Sequence, residues 1–385
     1  MSKIFVAMSG GVDSSVAAYL LKKAGHDVAG LHMHLWCEER QGKGAQRRQC
    51  CNADDVRDAE RVCQHLGIPF YVMNFEREFK RRVVDYFCSE YARGRTPNPC
   101  MACNEYLKFG ALFDRVEELG GEYLATGHYS RIDAAGDSRS GGLKLLRGID
   151  PTKDQSYFLY MLGQKQLRRV LFPVGALTKR AVRSIAGDAG LPVAGKADSV
   201  EVCFVADRNY RAFVAARATQ TPGEVVDLRG NAVGSHQGLA GYTVGQRHGI
   251  ATGGGVKLYV VRLDATGNRL IVGPETALYG AALVARDVRW VSGSAPSGEL
   301  RCQAQIRYRS LAAPAIVLPE EDERLIVRFE EPQRAIAPGQ SVVFYDGDEV
   351  LGGGIIDSVI GEAAIGEVAS GRQWSVSTED GAATP

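Results

Sequence analysis

The stretch VAMSGGVDSSVAAYLL, residues 6–21, joins an apolar run to a helix-like repeat through a turn rich in glycine and serine. Ile4 to Met8 form a short apolar run of the kind that makes a buried parallel strand. Apolar residues then recur at helical spacing, at Val16, Ala17, Leu20 and Leu21. The turn therefore falls at the carboxyl end of a strand and the amino end of a helix, where open α/β sheets bind ligands.

The turn itself, Ser9 to Ser15, has the chemistry of a phosphate site. Its two glycines let a ligand approach the backbone, and its amides converge at a helix N-terminus, which favours an anion. Asp13 is unusual in an anion site unless it holds a magnesium ion that bridges phosphates. A plain strand–turn–helix with a serine cap is the alternative, but the coincidence of glycines, serines and aspartate favours the phosphate site. No Gly-Lys-Ser/Thr follows, so the turn is not a Walker A loop.

Composition restricts the class of protein. The 385 residues are enough for two or three domains, and the formal net charge of +1 means that a nucleic-acid surface would be a local patch. No apolar run approaches the ~20 residues of a membrane span, and no signal-peptide core precedes a cleavage site. We therefore expect a cytoplasmic protein without a membrane partner. Nine cysteines, an odd number, favour thiol or metal chemistry over a disulfide framework.

Four segments of different texture follow one another along the chain. The first alternates strands and helices and predicts an α/β fold with a doubly wound parallel sheet. The second is glycine-rich and predicts a small central β-rich domain, the third alternates apolar and polar residues and predicts a C-terminal β-barrel, and the fourth predicts a mobile tail. These segments are residues 1–205, 206–280, 281–360 and 361–385. Within the first, we expect strands at 28–35, 70–73 and 123–126 and a mainly helical stretch at 157–190.

The second informative stretch is RTPNPCMACNEYLKFG, residues 95–110. Pro97 and Pro99 fix an extended turn, and Cys100 and Cys103 form a CxxC pair. We expect Cys103 to lie at or just before a helix N-terminus, where the dipole lowers a thiol pKa and favours the nucleophilic thiolate. The alternatives are half of a structural zinc site and an inert buried pair.

The remaining cysteines divide by their surroundings. Cys203, in DSVEVCFV, is either a reactive thiol or a small apolar residue at a strand end. Core positions are predicted for Cys63, Cys88 and Cys302. A basic insert, expected to be an exposed loop where a redox role stays open, is flanked by Cys37, Cys50 and Cys51.

Six motifs occur in an order that is found in one family: SGGVDSSVAAYLL, TPNPCMACNEYLKFG, ATGHY, DPTKDQSYFL, DSVEVCF and GYTVGQRHGI. The SGGVDS turn resembles the PP-loop of N-type ATP pyrophosphatases, which split ATP into AMP and pyrophosphate. Together the motifs resemble the tRNA-specific 2-thiouridylases of the MnmA/TrmU family over about residues 3–357. The resemblance implies 2-thiouridine formation at the tRNA wobble position, in which ATP adenylates the 2-oxygen of uracil and sulfur then displaces AMP. It implies that Cys103 is the nucleophile and that Cys203 receives a persulfide from a donor such as a cysteine desulfurase or a persulfide-relay protein.

The resemblance also implies two sets of binding residues. The ATP and magnesium site would comprise Ala7, Met8, Ser9, Gly10, Gly11, Val12, Asp13, Ser14, Met33 and Gly127. The tRNA anticodon region would contact Pro97, Asn98, Pro99, His128, Lys153, Asp154, Gln155, Arg307, Tyr308, Arg309 and Gln340. Of these, Arg307, Tyr308 and Arg309 also combine guanidinium and aromatic groups suited to phosphates and unstacked bases. His128 would lie beside the target base, with a surface histidine as the alternative.

Cys100 departs from the family pattern, because some members carry aspartate at this position. With Cys103 and Cys203 it could instead supply three thiolates to a 4Fe–4S cluster that keeps one iron open. The sequence leaves this scheme and the persulfide scheme both open. Two other functions also stay open: a small-molecule synthetase with the same PP-loop, and a non-catalytic iron–sulfur RNA-binding module. The intact loop from Ser9 to Ser14 argues against the module.

Overall fold

The structure, a computed structural model, describes residues 1–36, 53–134, 142–198, 202–205, 209–217, 220–250, 257–320 and 324–360. The predicted tail at 361–385 and the cysteines Cys37, Cys50 and Cys51 lie outside these residues. Among the helices that the structure describes, none has the length and apolar character needed to cross a membrane.

A five-stranded parallel sheet forms the centre of the first unit, with the strand order β3-β2-β1-β4-β7. Its strands are β1 Lys3–Ala7, β2 Asp27–His34, β3 Phe70–Asn74, β4 Tyr123–Ala125 and β7 Val170–Leu171. Alternate residues of β1 enter two separate apolar clusters, Ile4 and Val6 on one face and Phe5 on the other. Both faces of the sheet are therefore covered, and the predicted doubly wound α/β fold is confirmed. The prediction for 157–190 was wrong at β7, since a short strand lies inside that stretch.

The helices of this unit are α1 Val12–Lys23, α2 Ala53–Leu66, α3 Glu76–Phe79, α4 Asp85–Ala92, α5 Pro99–Ala102, α6 Leu112–Glu118, α7 Gln164–Leu167 and α8 Lys179–Asp188. Two π-helical segments, Lys80–Val84 and Cys103–Ala111, join α3 to α4 and α5 to α6. Residues 99–118 therefore form one continuous helical segment, which we call the cysteine helix.

A smaller four-stranded sheet follows in the order β10-β11-β8-β9, after the helix α9 Tyr210–Ala215. Its strands are β8 Gly223–Val226, β9 Ala232–His236, β10 Tyr259–Asp264 and β11 Arg269–Gly273. Its own small core contains Val225, Val260, Leu270 and Val272, all buried. This sheet confirms a central β-rich unit.

The C-terminal strands close into a six-stranded antiparallel barrel, because the first and last strands pair with each other. The strands are β12 Tyr279–Trp290, β13 Leu300–Gln305, β14 Ala313–Pro319, β15 Leu325–Arg334, β16 Ser341–Asp346 and β17 Glu349–Ile360. A hairpin from the first unit, β5 Ser130–Ala134 and β6 Leu143–Arg147, extends the barrel sheet through a β6–β17 pairing. The predicted barrel is confirmed, and it is joined to the first unit by strand pairing as well as by the chain.

Candidate active site

The glycine-rich turn lies where the sequence placed it, between β1 and α1. Gly11 is the N-cap of α1 in extended conformation and has no side chain to accept hydrogen bonds from the first-turn amides. The hydroxyls of Ser14 and Ser15 donate to the Gly11 carbonyl at 3.2 and 2.8 Å, and the Ser9 amide donates to Ser14 Oγ at 3.3 Å. These bonds hold the turn closed around a helix N-terminus that can receive an anionic ligand.

Gly127 lies directly against this turn. A Cβ at Gly127 would fall 2.6 Å from the amide nitrogen of Ser14, so glycine alone fits there. The loop after β4 therefore contacts the start of α1, as expected if both border one nucleotide site. Met33, the other predicted nucleotide contact, is half-buried near the end of β2 on the same carboxyl edge of the sheet.

Two lysines, neither found from the sequence, bring positive charge to the turn. Lys179 Nζ lies 2.7 Å from Asp13 Oδ1 and 2.8 Å from Asp13 Oδ2. Lys196 Nζ donates to the Gly10 carbonyl at 2.9 Å and pairs with Asp55 at 2.6 Å. Asp13, the predicted magnesium ligand, thus already faces an ammonium group. No local pattern reveals Lys179, because 166 residues separate it from Asp13.

Asp198 connects this turn to the motif that contains Cys203. Its carboxylate pairs with Lys179 at 2.8 Å and with Lys153 and Arg183 at 2.7 Å each. Burial opposes ionisation of Asp198, but hydrogen bonds from Lys153 and Lys179 lower its pKa to about 2. Ion pairs of Asp198 and Lys179 therefore connect the phosphate turn, the KDQ motif (residues 153–155) and the start of the DSVEVCF motif.

His128 is buried in an aromatic box, so the surface-histidine alternative was wrong. Its ring centroid lies 5.8 Å from that of Phe109 and 6.1 Å from that of Phe172, and its Nδ1 lies 2.7 Å from Thr126 Oγ1. Burial, with a smaller effect from the nearby Lys108 ammonium, lowers the pKa of His128 well below its ordinary value. The imidazole is therefore neutral near pH 7.

The cysteine helix begins earlier than the sequence suggested. Asn98 is its N-cap, with Oδ1 accepting from the Cys100 amide at 3.1 Å, and Pro99 is the first helical residue. Cys103 lies beyond the first turn, so the expectation that it sits at the helix N-terminus was wrong. The helix dipole acts mainly within the first turn. That turn contains Cys100, which is exposed, and not Cys103.

Cys103 and Cys203 both border one large apolar cluster, which extends from the first unit into the barrel, and both are half-buried. Phe204 fixes the neighbourhood of Cys203, since its ring meets those of Phe79 and Phe87 edge-on at 5.5 and 5.4 Å. The two cysteines that the motifs single out thus lie along the rim of a single core. Cys63 and Cys88 are buried as predicted, and Cys302 is half-buried.

The donor set for an iron–sulfur cluster is not assembled. Within the part of the chain that the structure describes, no group of three or more His, Cys, Asp and Glu side chains could hold a metal ion. Cys100, Cys103 and Cys203 as placed therefore do not fit a 4Fe–4S cluster, and that expectation finds no support. The same finding gives the zinc alternative no support.

Several predicted RNA contacts have partners inside the protein. Both carboxylate oxygens of Asp154 accept bonds within its own region, from Gly148 and Arg147 among others at 2.9 and 3.0 Å. Gln155 Oε1 accepts from the Tyr129 amide at 3.1 Å. These contacts give the two side chains a role in shaping the KDQ turn, and direct tRNA contact by them stays a prediction.

The barrel residues differ among themselves. Arg307 is half-buried and donates to the Val244 carbonyl at 3.2 Å and to the Ala335 carbonyl, and its contact with a tRNA phosphate stays a prediction. Arg309 is exposed, and Tyr308 meets the ring of Phe158 at 4.3 Å. Burial raises the pKa of Tyr308, and the charge of the Asp154 carboxylate adds to that effect.

Three family models match the chain in succession. Their descriptions are tRNA methyl transferase HUP domain over residues 2–207, tRNA methyl transferase PRC-barrel domain over 211–274 and aminomethyltransferase beta-barrel domain over 281–356. The tRNA-specific 2-thiouridylase MnmA of Roseiflexus castenholzii is 50% identical over 92% of this chain and 99% of its own. That of Geobacter metallireducens is 50% identical over 94% and 98%. Among solved structures, NMN synthetase from Francisella tularensis has a TM-score of 0.31 and 15% identity, covering 51% of this chain and 66% of its own.

The parallel sheet, the phosphate turn at its carboxyl edge and the two appended β units define a PP-loop nucleotide-binding enzyme. The first family model covers more than half of the chain, and the relatives are 50% identical across nearly all of it. The chain belongs to the tRNA-specific 2-thiouridylase (MnmA/TrmU) family, as the motifs predicted. Two of the family-model descriptions say methyl transferase, whereas the relatives are named 2-thiouridylases. The PP-loop agrees with the relatives' names.

Proposed function

We propose that this protein uses ATP to replace the 2-oxygen of the wobble uridine in tRNA with sulfur. The observation that carries the proposal is the identity of about 50%, over more than nine tenths of the chain, to relatives named 2-thiouridylases. The geometry agrees with it, because the phosphate turn and the two motif cysteines belong to one unit. We propose the same domain limits as the sequence predicted, with boundaries after residues 205 and 280, and a cytoplasmic location.

ATP binds, in this proposal, at the turn formed by residues 7–14, with Met33 and Gly127 beside the adenosine. The first-turn amides of α1 and the serine hydroxyls hold the phosphates. Lys179 supplies the cation that a Walker A loop would carry within its own sequence. The carboxylate of Asp13 is a suitable ligand for Mg²⁺, which would neutralise charge on the phosphates when bound.

Adenylation solves the leaving-group problem of the reaction. A uracil carbonyl oxygen leaves poorly, whereas the same oxygen leaves readily as part of AMP. The uracil 2-oxygen attacks the α-phosphorus of ATP and pyrophosphate departs. His128, neutral and held by Thr126, borders the pocket for the base without adding a charge.

Sulfur transfer then uses the two cysteines in turn. The terminal sulfur of a persulfide on Cys203 attacks C2 of the adenylated base, and AMP leaves with the former carbonyl oxygen. The Cys103 thiolate attacks the Cys203 sulfur, a Cys103–Cys203 disulfide forms, and the base keeps the transferred sulfur as 2-thiouridine. An external thiol reduces the disulfide, and a sulfur-donor protein restores the persulfide.

For tRNA, we propose contacts from the surface around the cysteine helix. Arg309 is exposed there, and Asn98, Lys153 and Tyr308 are half-buried, whereas Pro97 and Pro99 are buried and would shape the loop before Cys100. The base must leave the anticodon stack to reach ATP, at a cost of a few kcal/mol by analogy with base flipping.

The test is ATP turnover by the purified protein with and without tRNA. We expect pyrophosphate release only when tRNA is present, and AMP together with 2-thiouridine in the nucleoside digest when a persulfide donor is added. AMP formation with a small molecule and no tRNA would identify a synthetase instead. tRNA binding without any AMP would identify a binding module.

A further inference from the structure

The loop that leads into the cysteine helix is hydrogen-bonded to the barrel through the backbone N–H and C=O groups of one residue, Thr96. The Thr96 amide donates to the Pro338 carbonyl at 2.8 Å. The Gln340 side chain donates through Nε2 to the Thr96 carbonyl, also at 2.8 Å. A single barrel turn, residues 337–340, therefore holds this loop residue on two sides, and we call it the barrel turn.

The barrel turn is itself hydrogen-bonded to the last barrel strand. The Gly339 amide donates to the Ile356 carbonyl, and the Ile356 amide donates to the Gln340 carbonyl, both at 2.8 Å, and Ile356 is fully buried in the barrel core. Gly339 has φ +91°, and a Cβ there would lie 2.8 Å from the Thr96 amide nitrogen. Backbone conformation and close approach both require glycine at this position.

Arg95 adds charged contacts next to Thr96. Its guanidinium donates to Glu90 Oε2 at 2.8 Å, to Asp357 Oδ1 at 3.1 Å and to the Ile356 carbonyl at 2.9 Å. The Glu90 side chain is only 3% exposed, and it also pairs with Arg93 at 3.3 Å. The loop is thus joined to α4 on one side and to β17 on the other.

Little freedom is left between Thr96 and the cysteine helix. Pro97 and Pro99 each fix one backbone dihedral, and Asn98 caps the helix through the Cys100 amide at 3.1 Å. A displacement of Thr96 would therefore be passed to the helix rather than absorbed by the loop.

We propose that the barrel turn is a positioning element for the catalytic cysteine, Cys103, and that Gln340 and Gly339 act on it through Thr96. The barrel then has a role in catalysis besides tRNA binding. The assignment of Cys103 as catalytic rests on the proposed function, but the contacts that place the loop do not.

A matched pair of glycine substitutions tests this role. Gly339→Ala strains a left-handed residue and also pushes on Thr96, whereas Gly347→Ala strains a left-handed barrel residue, φ +57°, with nothing within 4 Å of the new Cβ. Because small misplacements at a reacting centre cost up to about a hundredfold in rate, we expect Gly339→Ala to lower kcat for 2-thiouridine formation about tenfold or more. The KM for tRNA should stay within about twofold, and Gly347→Ala should match the wild type in both constants.

Gln340→Met provides a second variant that keeps side-chain size and removes only the donor to Thr96. We expect it to lower kcat in the same direction by a smaller factor. In all variants, the alkylation rate of Cys103 by iodoacetamide is measured without tRNA, by peptide mapping. We expect that rate to change in Gly339→Ala and Gln340→Met and not in Gly347→Ala.

Three results would overturn the proposal: equal kcat losses in both glycine variants, a higher KM for tRNA with unchanged kcat, or unchanged Cys103 alkylation in Gly339→Ala and Gln340→Met. Failure of the proposed function looks different. In that case the wild type itself makes no 2-thiouridine, while the alkylation comparison still reports whether the barrel turn positions Cys103.

Discussion

The ammonium of Lys179 lies 2.7 and 2.8 Å from the two carboxylate oxygens of Asp13, in the middle of the phosphate turn. The Lys179 side chain is 12% exposed and also pairs with Asp198 at 2.8 Å. A cation held by two carboxylates beside an anion site is well placed to move toward phosphate when ATP enters. The PP-loop itself contains no lysine or arginine. The Lys179–Asp13 pair therefore indicates which side chain can bring positive charge to the phosphates.

Lys179→Met should impair the ATP step. We expect tRNA-dependent AMP formation to fall about a hundredfold, the range seen when one preorganised electrostatic group is removed from an active site. The measurement is release of labelled AMP at saturating tRNA. Arg180→Met, which removes an exposed cation from the next position of α8, should retain wild-type turnover. Equal losses in both variants would mean that α8 is merely sensitive to substitution.

Asp198 should make the stability of the protein acid-dependent. Its pKa in the folded protein is lowered to about 2 from an ordinary 3.8, so the ionised carboxylate stabilises the fold above pH 3.8. That contribution is lost as pH falls from 3.8 toward about 2. Urea unfolding of Asp198→Asn should therefore show a shallower fall in the free energy of unfolding across this window than the wild type. The control is Asp188→Asn, which removes an exposed carboxylate at the C-terminal end of α8. This variant should follow the wild-type curve.

Arg307 and Arg309 should separate structure from RNA binding. Arg307→Ala removes donors from the Val244 and Ala335 carbonyls, so we expect a loss of about 1–3 kcal/mol in the free energy of unfolding. The salt dependence of tRNA binding should stay unchanged. Arg309→Ala, at an exposed position, should reduce the salt slope of tRNA binding by about one. The reverse pattern would return the phosphate contact to Arg307.

Local signals explain what the sequence could predict. The PP-loop, the parallel sheet and the barrel each follow from a contiguous pattern of apolar and turn residues, and the structure has all three. Lys179 could not be predicted because its meaning depends on a partner far away along the chain. The same is true of Gln340, whose donor bonds to a loop carbonyl in another domain. Arg307 looks like a surface arginine in sequence, and only the structure shows that it donates to the Val244 and Ala335 carbonyls.

Cys100 provides the sharpest test of mechanism. Asn98 places it in the first helical turn, where it is exposed, at the position where the family resemblance gives some members an aspartate. If sulfur moves by persulfide, Cys100→Asp should keep thiolation in iron-free protein, and labelled sulfur should accumulate on Cys203 alone. Cys103→Ser and Cys203→Ser should each abolish thiolation, while adenylation, measured as tRNA-dependent pyrophosphate release, still occurs. If a cluster were required, Cys100→Asp would lose iron and activity together, because a carboxylate is a poor substitute for thiolate in such a site.

The measurements are iron and sulfide content, the absorbance spectrum after anaerobic purification, and 2-thiouridine yield. Full thiolation by iron-free Cys100→Asp protein would establish the persulfide route, and loss of activity on removing iron from the wild type would exclude it as sufficient.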